Sequence, residues 1–272
     1  MKNDGPSFHT KIYKIERMKK TNQNYQVVTY HEDTRKPKYN REKERELITR
    51  YCIKVARNAT FPTDYQDVYD HLFGNPNYII QFIVPSLPNA HSQAIYQPEM
   101  EILGFLVACQ FKGYKETTIL HCHGIILDPK IQNKGLAKQM VKQLLQQKNP
   151  DILTAKTHNP RAFNLFSDAL ASEVIYPNRT TPTPMDIYHL VKQNPFIANS
   201  DDKLIVRNAY PDEKLQQDYR NRSLEELFAN VNPRDAQSIV VVYHSKKLEV
   251  TTNQPEPTRQ GGRLCLKKSV RN

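Results

Sequence analysis

The sequence predicts an α/β (α+β) domain with a mixed central sheet of about six to seven strands flanked by helices. Three observations lead there. Runs rich in β-branched and aromatic residues alternate with runs of helical periodicity. The early strand candidates follow one another through short links, as in a meander, and Pro, Asn, Gly and Lys punctuate those links.

The elements follow in order. YQVVTY (25–30) predicts a first strand after a polar, lysine-rich extension over 1–24. In REKERELITRYCIKVARN (41–58), Leu47, Ile48, Tyr51, Cys52 and Val55 recur at i, i+3/i+4 spacing opposite a charged face, which predicts a helix. A shorter helix follows over Tyr65–Phe73, ending at Gly74. NYIIQFIVP (77–85), EILGFLVACQF (101–111) and TTILHCHGIIL (117–127) predict three strands. GLAKQMVKQLLQQ (135–147) predicts an amphipathic helix with Leu136, Met140, Leu144 and Leu145 on one side. ILTAKT (152–157) predicts a strand and PRAFNLFSDALA (160–171) a helix. Residues 172–203, rich in Pro, Asn and Thr around one helical piece, read as an insertion. The strand KLIVRNA, a helix near 212–230 and the strand SIVVVYH (238–244) complete a domain over 25–244, and 245–272 read as a basic, disordered tail.

Composition narrows the function classes. No apolar run approaches the ~20 residues of a membrane span, and the first thirty residues lack the apolar core of a secretory signal. Cys52, Cys109, Cys122 and Cys265 are scattered without a CxxC pair, which fits a reducing compartment; the expected location is the cytoplasm. The net charge of +11 is placed unevenly. Residues 1–50 hold 13 Lys+Arg against 7 Asp+Glu and residues 246–272 hold 7 against 2, whereas 51–245 are balanced. A nucleic-acid-binding body would carry its charge on the folded part, so the basic ends suit at most a weak contact with nucleic acid or an acidic protein.

One stretch carries more chemistry than the rest. HCHGIILDPKIQNKGLAKQM (121–140) runs from a strand through Asp-Pro and one of only eight glycines into a helix. A helix N-terminus offers unsatisfied N–H groups and the positive end of the helix dipole, a place for pyrophosphate. Glycine permits close approach and lysine adds charge. With its surroundings the stretch resembles the GNAT superfamily of acyl-CoA-dependent N-acyltransferases. Leu127-Asp128-Pro129 followed by Gln132-Asn133-Lys134-Gly135-Leu136-Ala137 matches the family's Q/R-x-x-G-x-G/A, with the permitted alanine last. THNPRAFNLF resembles its second motif, N-x-x-A-x-x-L-Y, and EILGFLVACQF its third strand, with Gly104 at the usual glycine.

The resemblance implies a GNAT fold splayed between its fourth and fifth strands, with acetyl-CoA as co-substrate and a primary amine as acceptor, small molecule or protein. It implies that Gln132, Asn133, Lys134, Gly135, Leu136, Ala137 and Lys138 hold the pyrophosphate, that Asn159 meets the pantetheine arm, that Phe166 lies against CoA, and that backbone N–H near Leu127 polarises the thioester carbonyl. His121, eleven residues before Gln132, stands where protein-lysine acetyltransferases of the family carry a glutamate base. Alternation puts His121, His123, Ile125 and Leu127 on one strand face, so His123 is a second base candidate. Glu101 and Glu116 are further alternatives, and both histidines could equally be ordinary strand residues. HCH offers two neighbouring imidazoles but no third ligand, so no metal is expected.

One departure stands out. The second motif places Phe166 where many relatives have the tyrosine that acts as general acid, and a phenyl ring donates no proton; Tyr176 could substitute. Two other readings therefore stay open: a catalytically reduced domain that binds CoA or works through protein contacts, and a nucleic-acid-binding protein that uses the basic ends.

Overall fold

A computed structural model describes residues 25–30, 32, 37–61, 63–75, 77–85, 101–113, 116–170, 174–177, 182–207, 222–229, 231 and 238–244. The 1–24 extension and the 245–272 tail lie outside them. The strands are β1 (Tyr25–Tyr30), β2 (Tyr78–Pro85), β3 (Gly104–Lys112), β4 (Thr118–Leu127), β5 (Ile152–Thr157), β6 (Val174–Tyr176), β7 (Ile205–Val206) and β8 (Ser238–His244). The helices are α1 (Lys38–Asn58), α2 (Tyr65–Phe73), α3 (Leu136–Lys148), α4 (Pro160–Ala169), α5 (Met185–Lys192) and α6 (Arg222–Phe228).

The eight strands form one sheet in the order β1-β2-β3-β4-β5-β8-β6, with β7 also on β8. It has one short strand more than the seven named from the sequence, β6, which lies inside the 172–203 stretch, whose sequence carries little strand signal. β1 through β4 form the antiparallel meander, β4 and β5 are the parallel pair, and β8 runs antiparallel to β5. The sheet is mixed, as the alternation of elements requires.

Each face has its own core. On one face, Leu106, Leu120, Cys122, Leu153 and Ala155 pack against Leu136, Met140, Val141 and Leu144 of α3 and Phe163 and Phe166 of α4. On the other, Val28, Ile80, Phe82 and Phe105 pack against Ile48, Cys52 and Val55 of α1 and Leu72 and Phe73 of α2. A third cluster, with Ile187 and Val191 of α5, Ile197 and Leu204, extends that second face beyond β5. Leu47, expected on the buried side of α1, is 36% exposed; Thr49, Ile53 and Ala56 turn inward instead. Among the described residues no helix is long and apolar enough to cross a membrane.

Candidate functional site

The parallel pair comes apart. β4 and β5 are in register from Ile119↔Ile152 to Cys122↔Ala155 and no further, although β4 continues to Leu127 and β5 to Thr157. Beyond Cys122 and Ala155 a gap opens between the strands. The β3 side of β4 stays paired to its end: Gly104 lies opposite Leu127, and Asp128 N–H donates to Leu103 O at 2.8 Å. Because antiparallel bonding alternates, the bond at Asp128 turns the N–H of Leu127, and that of Ile125, away from β3 and into the gap. Gly104 permits this close approach: a Cβ there would meet Leu127 Cδ2 at 2.5 Å and Ile126 O at 3.1 Å.

β4 also carries a bulge. Val107 faces Gly124 and Ala108 faces Cys122, so His123 is the extra residue. A bulge reverses side-chain parity beyond it. Leu120 and Cys122 before it, and Ile125 and Leu127 after it, all pack toward α3, whereas Ile126 packs toward α1. The alternation that places His121, His123, Ile125 and Leu127 on one face is therefore corrected. The two histidines share the α1/α2 face, their rings edge to face at 4.8 Å, and the residues beyond them point the other way.

The two histidines have different surroundings. His121 is fully buried, stacked on Phe196 at 4.9 Å. Its Nδ1 lies 2.9 Å from Thr154 Oγ1 and 3.2 Å from Asn194 Nδ2. The orientation of the Asn194 amide is fixed, because Oδ1 accepts the Phe196 N–H at 3.0 Å, leaving Nδ2 to donate to Thr154 Oγ1 at 2.8 Å and to His121. His121 Nδ1 must then be the acceptor, so the proton of the neutral ring sits on Nε2, which has no hydrogen-bond partner among the described residues. Burial, with His123 and Lys156 nearby, holds the His121 pKa well below the usual histidine value. His121 is a neutral donor whose lone pair is already engaged.

His123 is half-buried, 4.4 Å from the Phe196 ring, with Nε2 3.3 Å from Cys109 Sγ. Burial, reinforced by His71 of α2 and Lys156 of β5, pushes its pKa down to about 4. Burial pushes the Cys109 thiol up to about 12. The pair is thus neutral thiol and neutral imidazole, not an ion pair. Lys156, the next residue of β5 after the strands part, has a pKa lowered by burial.

At the far end of β4 a single 3₁₀ turn (Pro129–Ile131) leads to α3. Asp128 caps it through Lys130 N at 3.0 Å and accepts from Asn58 Nδ2 of α1 at 2.7 Å. Gln132 Nε2 donates to Leu127 O at 2.9 Å, tying the turn to the strand end. Asn133 and Gly135 are left-handed, with φ of 61° and 76°. Gly135 caps α3, and a Cβ there would meet nothing within 4 Å, so the approach to the first-turn amides of Leu136, Ala137 and Lys138 is open. Lys134 reaches toward β1, its Nζ 3.1 Å from Tyr25 Oη at the edge of a cavity of about 470 Å³ that Glu101 and Lys130 also line.

Asn159 caps α4, its Oδ1 accepting from Arg161 N at 2.9 Å. Phe166 is buried in the α3/α4 core. Glu101 pairs with Lys130 at 3.6 Å, and Glu116 lies beside Lys112 on the surface. Tyr176 is buried against α5. The structure thus brings together His121, His123, the Leu127 end of β4 and the 132–138 turn along one strand. It adds Cys109, Thr154, Lys156, Asn194 and Phe196, none of which sequence spacing singles out. Among the described residues no group of three metal-binding side chains occurs.

Residues 54–169 match the model of the acetyltransferase (GNAT) family. Solved structures similar to this chain include Arabidopsis thaliana NAA60 in complex with a bisubstrate analogue, with 12% identity over 80% of this chain and 99% of that one and a TM-score of 0.41. An aminoglycoside acetyltransferase from an uncultured soil metagenomic sample has 12% identity over 53% and 86%, with a TM-score of 0.35. An acetyltransferase from Thermus thermophilus has 17% identity over 51% and 85%, with a TM-score of 0.34. No curated protein matches the chain.

Proposed function

We propose that this chain, which carries an acetyltransferase (GNAT) family domain over residues 54–169, is an N-acetyltransferase that transfers the acetyl group of acetyl-CoA to a primary amine by direct attack. The observation that carries the reading is the gap where β4 and β5 part, bounded by the Leu127 N–H at one end and the histidine pair at the other. The residues at the turn suit the co-substrate: an open glycine cap, first-turn amides and Lys138 in the first turn of α3.

Acetyl-CoA supplies an activated acyl group on a thiol that leaves. In this reading the 136–138 amides and Lys138 hold the pyrophosphate, with Gln132 and Asn133 fixing the turn and Lys134 flanking it. The amide nitrogen of Asn159 meets the pantetheine arm. The N–H of Leu127 donates to the carbonyl oxygen as negative charge builds on it. The amine nitrogen bonds to the carbonyl carbon, the carbon–sulfur bond breaks, and the amine's proton passes to His123 directly or through water. His123 takes this role over His121 because its ring is half-buried where that of His121 is fully buried, and because the His121 lone pair is held by Asn194. Phe166 supplies no proton, so the thiolate takes one from solvent. The scattered cysteines fit a cytoplasmic setting.

Calorimetric titration of the purified chain with acetyl-CoA tests this. Micromolar binding that Gly135→Glu abolishes, followed by acetylation of an amine, is the expected result; no heat and no thermal stabilisation would overturn the reading. The buried Phe166 favours a second one, a domain that binds CoA without turnover. Tight acetyl-CoA binding with no transfer to any amine in a broad acceptor screen would select it.

A further inference from the structure

We propose that the groove between α1 and α2 seats an acidic segment of the acceptor, so that this chain selects a polypeptide whose reactive amine lies beside carboxylates. This rests on the acyl-transfer reading above. The groove, about 470 Å³, is lined by Arg50, Ile53, Lys54, Arg57, Asn58 and Tyr65. Arg50, Lys54 and Arg57 recur at i, i+4 and i+7, which places three cations along about 10 Å of one helix face. All three are exposed, and none makes an ion pair among the described residues. The carboxylates nearby form no ion pair with them among the described residues. Glu46 lies near Tyr65, Asp64 caps α2 through Asp67 N, and Asp128, which feels the charge of Lys54, is buried and held by the Asn58 amide and Lys130 N.

Position makes this the acceptor's side. α1 and α2 cover the sheet face on which His123 and Cys109 lie, whereas α3 and the pyrophosphate turn belong to the opposite core. α2 joins the two places: Tyr65 lines the groove, and His71, about 9 Å further along the helix axis, is close enough to disfavour charge on His123. At its other end the groove reaches Asn58, whose amide holds Asp128 directly beyond β4.

Three unpaired cations beside an apolar floor of Ile53 and Tyr65 suit a short segment that mixes carboxylates with an apolar side chain. Small polycationic amines would be repelled. Nucleic acid is the weaker fit, because Tyr65 is the single aromatic ring of the groove and offers no run of stacking platforms.

The test uses the full chain and a fluorescent peptide whose amine-bearing residue is followed by glutamates, against a glutamine counterpart, with binding read by anisotropy without acetyl-CoA. The expected result is about tenfold tighter binding of the glutamate peptide, since exposed charge pairs add modestly and three of them act together. The gap should close at about 0.5 M salt, where screening is short-ranged. It should vanish in Arg50→Glu/Lys54→Glu/Arg57→Glu while the Kd for acetyl-CoA holds; if that variant unfolds, Lys54→Ala/Arg57→Ala gives a partial loss. Equal binding of the two peptides, a gap that survives the triple change, stronger competition by oligothymidylate than by polyglutamate, or a weakened acetyl-CoA complex in the triple variant each overturns the proposal. Charge-dependent peptide binding in a chain that takes up no acetyl-CoA would uphold the groove and sink the acyl-transfer reading alone.

Discussion

Asn194 Nδ2 stands 3.2 Å from His121 Nδ1, joining the segment after α5 to the middle of β4. Since the Phe196 N–H fixes the amide, Asn194 dictates which nitrogen of His121 carries the proton. Asn194→Asp exchanges the donor for an acceptor and should move the proton to Nδ1 and raise the His121 pKa. Nitrogen-15 spectra of the imidazoles would show an Nε2–H ring in the parent and an Nδ1–H or doubly protonated ring in the variant. An unchanged tautomer would refute the assignment. Asn194→Leu leaves Thr154 and His121 short of a buried donor and should lower unfolding free energy by about 1–3 kcal/mol in denaturant melts.

The same burial makes stability depend on pH. His123 holds its folded pKa at about 4, below the unfolded histidine value of about 6.5, and His121 is depressed in the same direction. Between those values the unfolded chain binds more protons than the folded one, so the contribution is complete above about 6.5 and is lost as pH falls toward 4. Each histidine can add a slope of up to about 1.4 kcal/mol per pH unit in that window. Asp128 acts lower. Burial raises its pKa, but the Lys130 N–H and the Asn58 amide, with Lys130 and Lys54 nearby, bring it below the usual carboxylate value, so its contribution fades only in stronger acid. Urea midpoints measured from about pH 7 to 5 should fall in the parent and fall less steeply in His123→Gln; parallel curves would remove His123 as a source.

Two glycines should respond differently. Gly135→Ala meets no atom, so its cost is the left-handed backbone alone, about 1–2 kcal/mol, with weaker acetyl-CoA binding as the turn relaxes. Gly104→Ala meets Leu127 Cδ2 and must displace that side chain and press on the Ile126 carbonyl. It should reduce kcat through the Leu127 N–H while leaving the acetyl-CoA Kd nearly intact. Equal effects of both changes on Kd would argue against separate phosphate and oxyanion roles.

Much of this architecture is legible in the sequence, for local reasons. YQVVTY, ILTAKT and SIVVVYH form strands with the predicted bounds because β-branched runs between turn residues suffice to define them. Asp64 and Asn159 start helices by capping them, a signal contained in four residues or fewer. What was not legible depends on pairs distant in sequence. The bulge at His123 arises from the fit of β4 on β3; Gly124 beside it is the local hint, but it fixes neither the extra residue nor the register beyond it. Asn194 is 73 residues from His121 and Thr154 is 33, so the network that decides which histidine can act as a base exists only after folding.

That decision has a kinetic consequence. With a pKa of about 4, His123 stays neutral through the whole range in which an amine can be assayed, so its ionisation cannot shape the rate profile near 6.5. The value of kcat/KM should rise with pH only as the amine itself loses its proton. His123→Ala should lower kcat by about a hundredfold, the usual contribution of a positioned base, with the KM for acetyl-CoA little changed. Cys109→Ser keeps a polar atom near Nε2, where Sγ now lies at 3.3 Å, and should preserve most of the rate, whereas Cys109→Val removes that contact and should lower kcat without affecting acetyl-CoA. A histidine-like inflection near 6.5 that disappears in His123→Ala would show instead that substrate binding raises the imidazole pKa toward its ordinary value. An unchanged rate in His123→Ala would shift the proton transfer to water.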